Sequence, residues 1–146
     1  MPNKEAEFQH GRTFEEIAAE AGRDIAAAED ASRKALKRAS AHEHDGASPT
    51  TDKESKDLEK EVKGVLDQAR KAKNEAYGAA AAGKKAKDAR PDIEAAEKSF
   101  DEAEDHIDKG SKEKQPAPRN KEFKKAAEKI VEDLKKVKDA MDKVTA

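Results

Sequence analysis

Small and apolar residues recur along the first third of the chain at alternating steps of four and three positions. The positions are Phe14, Ala18, Ala21, Ile25, Ala28, Ser32, Ala35 and Ala39. This spacing is a heptad seam, the pattern by which one side of a helix packs on another helix. Thr13 and Glu16 form a capping-box pattern at its start. Because most seam residues are alanines, we expect the partner helix to approach more closely than leucine layers would allow.

A second seam of the same kind follows a loop that contains a proline, at 44–51. Thr51 and Glu54 form another capping box. The seam positions are Leu58, Val62, Val65, Ala69, Ala72, Ala76, Ala79, Gly83 and Ala86. A helix continuous to Ala89 would be about 57 Å long. Gly78 and Gly83 mark the stretch YGAAAAG as the place where we expect a bend.

Two further seams fill the second half of the chain. Pro91 suits the first turn of the third helix, where its missing N–H costs nothing, and Gly110 suits the end of that helix. Asn120 is a candidate cap for the fourth helix. The third seam is Ile93, Ala96, Phe100, Ala103 and Ile107. The fourth, which is the most hydrophobic, is Phe123, Ala127, Ile130, Leu134, Val137, Met141 and Val144.

These patterns predict an all-α protein, an antiparallel up-down four-helix bundle with alanine-rich heptad seams. An N-terminal tail over 1–12 precedes a single domain over 13–146, with helices at about 13–43, 52–89, 92–109 and 120–145. The second helix would outrun the third and leave part of its alanine-rich end without cover. The alternative is therefore a long helical hairpin or coiled coil that completes its core by dimerising.

The charge balance argues against nucleic-acid binding. Charged residues make up 44% of the chain, but 31 basic residues face 33 acidic ones, for a net charge of -2. A nucleic-acid binder usually has a basic excess and aromatic side chains that stack on bases. If the first two helices are antiparallel, the basic stretches at 33–38 and 83–90 lie far apart rather than in one patch.

The absence of cysteine excludes disulfides, thiolate metal sites and cysteine nucleophiles. No apolar run approaches the roughly 20 residues that cross a bilayer. The start of the chain also lacks the apolar core of a secretory signal. We therefore expect a cytoplasmic protein by default, and export without a classical signal stays open.

Imidazole and carboxylate groups cluster in the stretch AHEHD, at His42, His44 and Asp45. These groups are good ligands for zinc, nickel or copper, so they form the alternative prediction of a metal site. The commoner interpretation is a frayed helix end, where histidine suits the negative pole of the helix dipole. A di-iron centre is not predicted, because Glu7 and His10 supply a single Glu-x-x-His motif.

Catalytic motifs are absent from the sequence. None of the serines lies in a Gly-x-Ser-x-Gly elbow, and AAAAGKKA lacks the first glycine and the hydroxyl residue of a phosphate loop. Glu102 and His106 are expected to form a solvated pair on the third helix. We therefore predict a protein that is not an enzyme, with no cofactor and no small-molecule substrate.

The predicted function is that of an interaction or structural module, which binds a protein partner or a second copy through helix packing and charge complementarity. The predicted contact residues are Tyr77 and an exposed alanine face at Ala80, Ala81 and Ala82. The runner-up is peripheral binding to a lipid surface by amphipathic helices, because the fourth helix has an apolar face flanked by lysines. Acidic residues on its polar face and the lack of tryptophan weigh against that alternative.

Overall fold

A computed structural model of the protein describes residues 13–41, 51–83 and 86–145. Within these ranges the chain forms the helices α1 (Phe14–Ala41), α2 (Asp52–Ala82), α3 (Ala86–Lys112) and α4 (Pro116–Thr145). Each helix packs against the next, α4 packs against α1, and α2 also meets α4 across the bundle. The prediction of an all-α, up-down four-helix bundle is confirmed.

Contacts at the two ends of the bundle show how the helices alternate in direction. A methyl group built on Gly83, just after α2, would lie 2.9 Å from Phe14 Cε1 and 3.2 Å from Val144 Cγ1. The start of α1 and the ends of α2 and α4 therefore share one end, called here the Phe14 end. At the other end, called the Phe123 end, Gly110 near the end of α3 lies against the ring of Phe123 near the start of α4.

Both predicted capping boxes start helices. The N–H of Glu16 donates to Thr13 Oγ1, and the N–H of Glu54 donates to Thr51 Oγ1, each at 3.1 Å. Each threonine hydroxyl in turn donates to the glutamate side chain, at 3.2 Å in the first box and 3.0 Å in the second. These bonds satisfy an N–H group that has no partner within the helix.

The predicted seams form the core. Every seam position of α1 to α4 whose side chain the structure describes is buried, apart from the partly buried Phe14 and Gly83. The alanines are buried as completely as the large residues, since Ala28 and Ala69 are 0% exposed, like Phe100 and Phe123. The structure thus uses alanine as a core residue.

The predicted bounds of the second and third helices are wrong. Helix α2 ends at Ala82, and the N–H of Gly83 donates to the carbonyl oxygens of Ala79 at 3.0 Å and Ala80 at 3.3 Å. Helix α3 already begins at Ala86, so Pro91 lies inside it instead of in its first turn. The four helices have 28, 31, 27 and 30 residues. Since their lengths nearly match, the predicted overhang of the second helix does not exist. The core therefore does not need a second copy to cover such an overhang.

Gly110 and Asn120 do not have their predicted roles. Helix α3 continues past Gly110 to Lys112, and α4 begins four residues before Asn120. Asn120 is fully buried, and its Oδ1 accepts a hydrogen bond of 2.9 Å from Ser55 Oγ. Beside this bond, Arg119 Nη1 donates to Asp52 Oδ1 at 2.6 Å. Together these contacts join the starts of α2 and α4 at the Phe123 end.

Candidate functional site

The structure does not provide the exposed alanine face that the sequence predicted. Ala80 is 0% exposed and Ala82 is 6% exposed, whereas Ala81 is exposed. Tyr77 is partly buried and packs against the core. The reason is the early end of α2 at Ala82, which places Ala80 and Ala82 inside the bundle instead of on an uncovered extension.

The predicted metal ligands His42, His44 and Asp45 lie outside the residues that the structure describes. Within those residues, the carboxylates of Glu20, Asp24 and Glu75 lie within 4.8 Å of one another and are partly buried. This cluster could not be predicted from the sequence, because only the packing of α1 on α2 brings Glu75 to the other two. In a chain with 33 acidic residues, three carboxylates can meet without a metal ion.

A network of ion pairs crosses from α2 to α3. Arg70 Nη1 pairs with Glu97, and Arg70 Nη2 lies 3.0 Å from Asp101 Oδ1 and 2.7 Å from Glu104 Oε2. Lys73, only 9% exposed, reaches Glu97 at 2.6 Å. Burial of Arg70 opposes its charge, but the three carboxylates outweigh burial and raise its pKa. The guanidinium is therefore a permanent cation whose role is to fasten α3 to α2.

A second set of polar contacts crosses from α3 to α4. His106 Nδ1 lies 2.9 Å from Glu122 Oε2, and Lys129 Nζ lies 2.9 Å from Glu102 Oε2. The prediction of a solvated pair between Glu102 and His106 is therefore wrong, because each contacts α4. Partial burial raises the pKa of Glu122, but the hydrogen bond from His106 and the charge of Lys125 outweigh it, so that this pKa is lowered overall.

The last turns of α1 carry four cations and no acidic residue between Arg33 and Ala41. Arg33 pairs with Glu29 of its own helix at 3.5 Å, and Arg38 pairs with Glu61 of α2 at 2.9 Å. Lys34 and Lys37 are exposed, and neither pairs with any acidic residue that the structure describes. This end of α1 is therefore a positively charged surface.

The first turns of α4 carry further cations at the same end of the bundle. Because α1 ends where α4 begins and the two helices pack together, cations of α4 lie at the same end of the bundle. Lys121 is exposed and makes no ion pair within the described ranges, while Lys125 contacts Glu122 at 3.5 Å. The first turn of α4 has no acidic residue, so nothing in that turn neutralises the positive pole of its dipole.

We call this group of exposed and partly exposed cations at the Phe123 end the basic face. It consists of Arg33, Lys34, Lys37, Lys121, Lys124 and Lys125. From the sequence, the stretch 33–38 was compared only with the basic stretch 83–90, since the pairing of α1 with α4 joins segments about ninety positions apart.

Two surface depressions of the described helices are open clefts lined mainly by charged side chains. One lies along α1 at Glu15, Glu20 and Arg23, and another lies between Asp92 of α3 and Lys143 of α4. Small-molecule sites are typically enclosed, which these clefts are not. None of the four helices contains an apolar stretch of the length that crossing a bilayer requires, over the residues described.

The apolar stripe of α4, which suggested lipid binding, faces the core, where Phe123, Ile130 and Leu134 are 0% exposed. Contact of this stripe with lipid would therefore require the bundle to open. In comparisons with known proteins, no family model, no curated protein and no solved structure matches this chain.

Proposed function

We propose that the protein is a non-enzymatic interaction module that binds an acidic segment of a protein partner through the basic face. The observation that carries this proposal is that Lys34, Lys37 and Lys121 are exposed on two adjacent helices at one end of the bundle, without an ion pair to any described residue. Unpaired cations on a rigid frame are free to meet carboxylates of another molecule.

The remaining composition of the surface favours recognition by charge. The core takes up nearly all the large apolar side chains of the described helices, so little apolar surface is left for a partner. Charge complementarity speeds the encounter and selects the partner, but exposed pairs contribute little energy and are screened by salt. We therefore expect an affinity that falls steeply as the ionic strength rises.

An acidic protein segment fits the basic face better than nucleic acid or lipid does. The net charge of -2 repels a long polyanion from the rest of the molecule. Tyr77 lies in the last turns of α2, near the Phe14 end, so it is not available to stack on bases at the basic face. Lipid binding would need the apolar stripe of α4, which is buried.

A charge-reversal experiment tests this proposal. The triple variant Lys34→Glu, Lys37→Glu, Lys121→Glu is compared with the matched control Lys71→Glu, Lys135→Glu, Lys138→Glu, whose lysines are exposed away from the Phe123 end. The probe is a labelled 20-residue peptide of glutamate, aspartate and alanine, and binding is measured by fluorescence anisotropy at low and physiological salt. We expect the triple variant to bind at least about tenfold more weakly, while the control stays within about twofold of wild type.

Three other arms separate the alternatives. In the first two, the peptide is replaced by single-stranded DNA of matched charge or by vesicles of phosphatidylglycerol. In the third, the protein is sedimented alone to measure its oligomeric state. Equal losses in both triple variants, or stronger binding to DNA or vesicles than to the peptide, would refute the proposal. A dimer that the basic-face substitutions dissociate would identify the acidic partner as a second copy of the chain.

A further inference from the structure

Asp133 of α4 is an ionisable group buried in the bundle. The residue is 2% exposed, and its Oδ2 reaches neither solvent nor a hydrogen-bond partner. Ser99 of α3 hydrogen-bonds to the carboxyl group, which places Asp133 in the seam between α3 and α4. The other acid that is buried among the described residues, Glu29, differs because it has Arg33 as an ion partner at 3.5 Å.

The surroundings of Asp133 disfavour its charged form. Burial has the largest effect and raises its pKa from 3.8 to about 6, against the opposing hydrogen bond from Ser99. On α4, Lys136 and Lys129 favour the carboxylate and Glu132 disfavours it. On α3, Glu102 faces the same seam, but Lys129 binds it. No residue of α1 or α2 is among the groups with the largest effects on the pKa of this carboxyl group.

We propose that Asp133 makes the seam between α3 and α4 a pH-sensitive joint, which is closed when the carboxyl group is protonated and loosened when it is ionised. The neutral acid needs only modest solvation, so the seam can close over it. The carboxylate instead leaves a charged oxygen buried without a donor, which is costly. This joint is independent of the basic face and of any partner.

The sign of the pH effect follows from linkage. The pKa is higher in the folded protein than in the unfolded chain, so the stability that Asp133 contributes is fully present below about pH 4 and is lost as the pH rises through about 6. Most acidic groups in proteins behave in the opposite way. The joint therefore tightens on mild acidification, in the range where surface carboxylates are still ionised.

The first experiment compares wild type with Asp133→Asn, which keeps the shape of the side chain but cannot ionise. Urea unfolding is followed at several pH values from 4 to 8. We expect the ratio of the two unfolding constants to change by up to about 100-fold across this range, since two pKa units correspond to that factor. The matched control Asp139→Asn, at an exposed position of the same helix, should keep a constant ratio to wild type.

The second experiment uses the unaltered protein, so it does not depend on the folding of a variant. Carbon-13 NMR follows the Asp133 carboxyl, and amide hydrogen exchange follows each helix between pH 5 and 7. We expect a titration midpoint near 6 and, after correction for intrinsic exchange, faster opening at the amides of α3 and α4 than at those of α1 and α2. A midpoint near 4, or equal acceleration in all four helices, would overturn the proposal.

Discussion

The α1–α2 pair and the α3–α4 pair solve the same packing problem with different residues. Alanine dominates the seam of the first pair, where Ala21, Ala28 and Ala69 are 0% exposed. In the second pair the fully buried positions include Phe100 and Phe123. The same seven-residue repeat thus forms two kinds of helix interface. In one the seam residues are mostly small, and in the other large side chains fill the space between the helices.

The helical glycines of the two pairs also differ in their surroundings. A methyl group built on Gly22, Gly64 or Gly78, all in the first pair, would meet nothing within 4 Å. The same group on Gly110 of α3 would lie 2.6 Å from the ring of Phe123. The pair with large side chains therefore also contains the tightest contact with a helical glycine, and the two pairs should respond differently to any change of side-chain volume.

The largest expected effect comes from removing a ring of the second pair. Phe100→Ala should lower the free energy of unfolding by about 3–5 kcal/mol, because it leaves a large cavity in the core. Phe14→Ala removes the same side chain from the partly buried start of α1, and it should cost clearly less. Urea unfolding at pH 7 measures both. Equal losses would show that the two pairs are equally well packed.

The alanine seam should be destabilised by the opposite change, an increase in side-chain volume. Ala28→Leu inserts three carbon atoms at a position that is 0% exposed, so we expect a loss of about 1–3 kcal/mol from overpacking. The neighbouring Ala27→Leu, on the exposed side of α1, should change stability by less than about 0.5 kcal/mol. If Ala28→Leu stabilised the protein, the seam would contain unfilled space.

Glycine replacements give a smaller effect with opposite signs in the two pairs. Gly64→Ala should stabilise α2 by about 1 kcal/mol, since alanine is the better helix former and the site is open. Gly110→Ala should destabilise by about 1–2 kcal/mol, because Phe123 is fully buried and must shift. Thermal melts of both variants test this, and a gain in both would mean that the α3–α4 contact is looser than the structure indicates.

The smallest effect concerns charge, and it contrasts two acids within α4. The pKa of Glu122 is lowered, so the stability it contributes is present above its ordinary value of 4.5 and is lost as the pH falls. Glu122→Gln should therefore cost roughly 0.2–1 kcal/mol at pH 7 and less at pH 4. This is the reverse of the trend expected for Asp133→Asn. Urea unfolding at both pH values measures it, and a cost that grew on acidification would contradict the assignment.

The architecture could be predicted from the sequence because the heptad pattern is local and uninterrupted. The two capping boxes and the four seams all specify the same helices, so the buried faces follow from spacing alone. The bounds near Gly83, Pro91 and Asn120 could not be predicted in this way. Considered by sequence alone, each of these residues suits the end of a helix or a bend in one. The packing of the neighbouring helices determines where the helix actually begins or ends. Asn120, for example, bonds to Ser55 of α2 instead of capping α4.

The functional groups were harder to predict because they depend on which helices are neighbours. The stretch 33–38 reads as an isolated basic run until α4 places Lys121 at the same end of the bundle. Asp133 lies at the edge of its seam, next to Leu134, and the heptad pattern alone does not separate it from the solvated acids of α4. Only the packing of Ser99 against it reveals its burial.

The bond between Ser55 and Asn120 bears on how the chain avoids sliding. Heptad seams repeat every seven positions, so an alignment of α2 shifted by seven positions against α4 would still place apolar residues in the interface. A shift would leave the Asn120 amide opposite a hydrocarbon and would separate Arg119 from Asp52. The polar contacts at the Phe123 end thus favour one alignment over the shifted ones. A chain with Ser55→Ala and Asn120→Leu should keep its helices but populate more than one register.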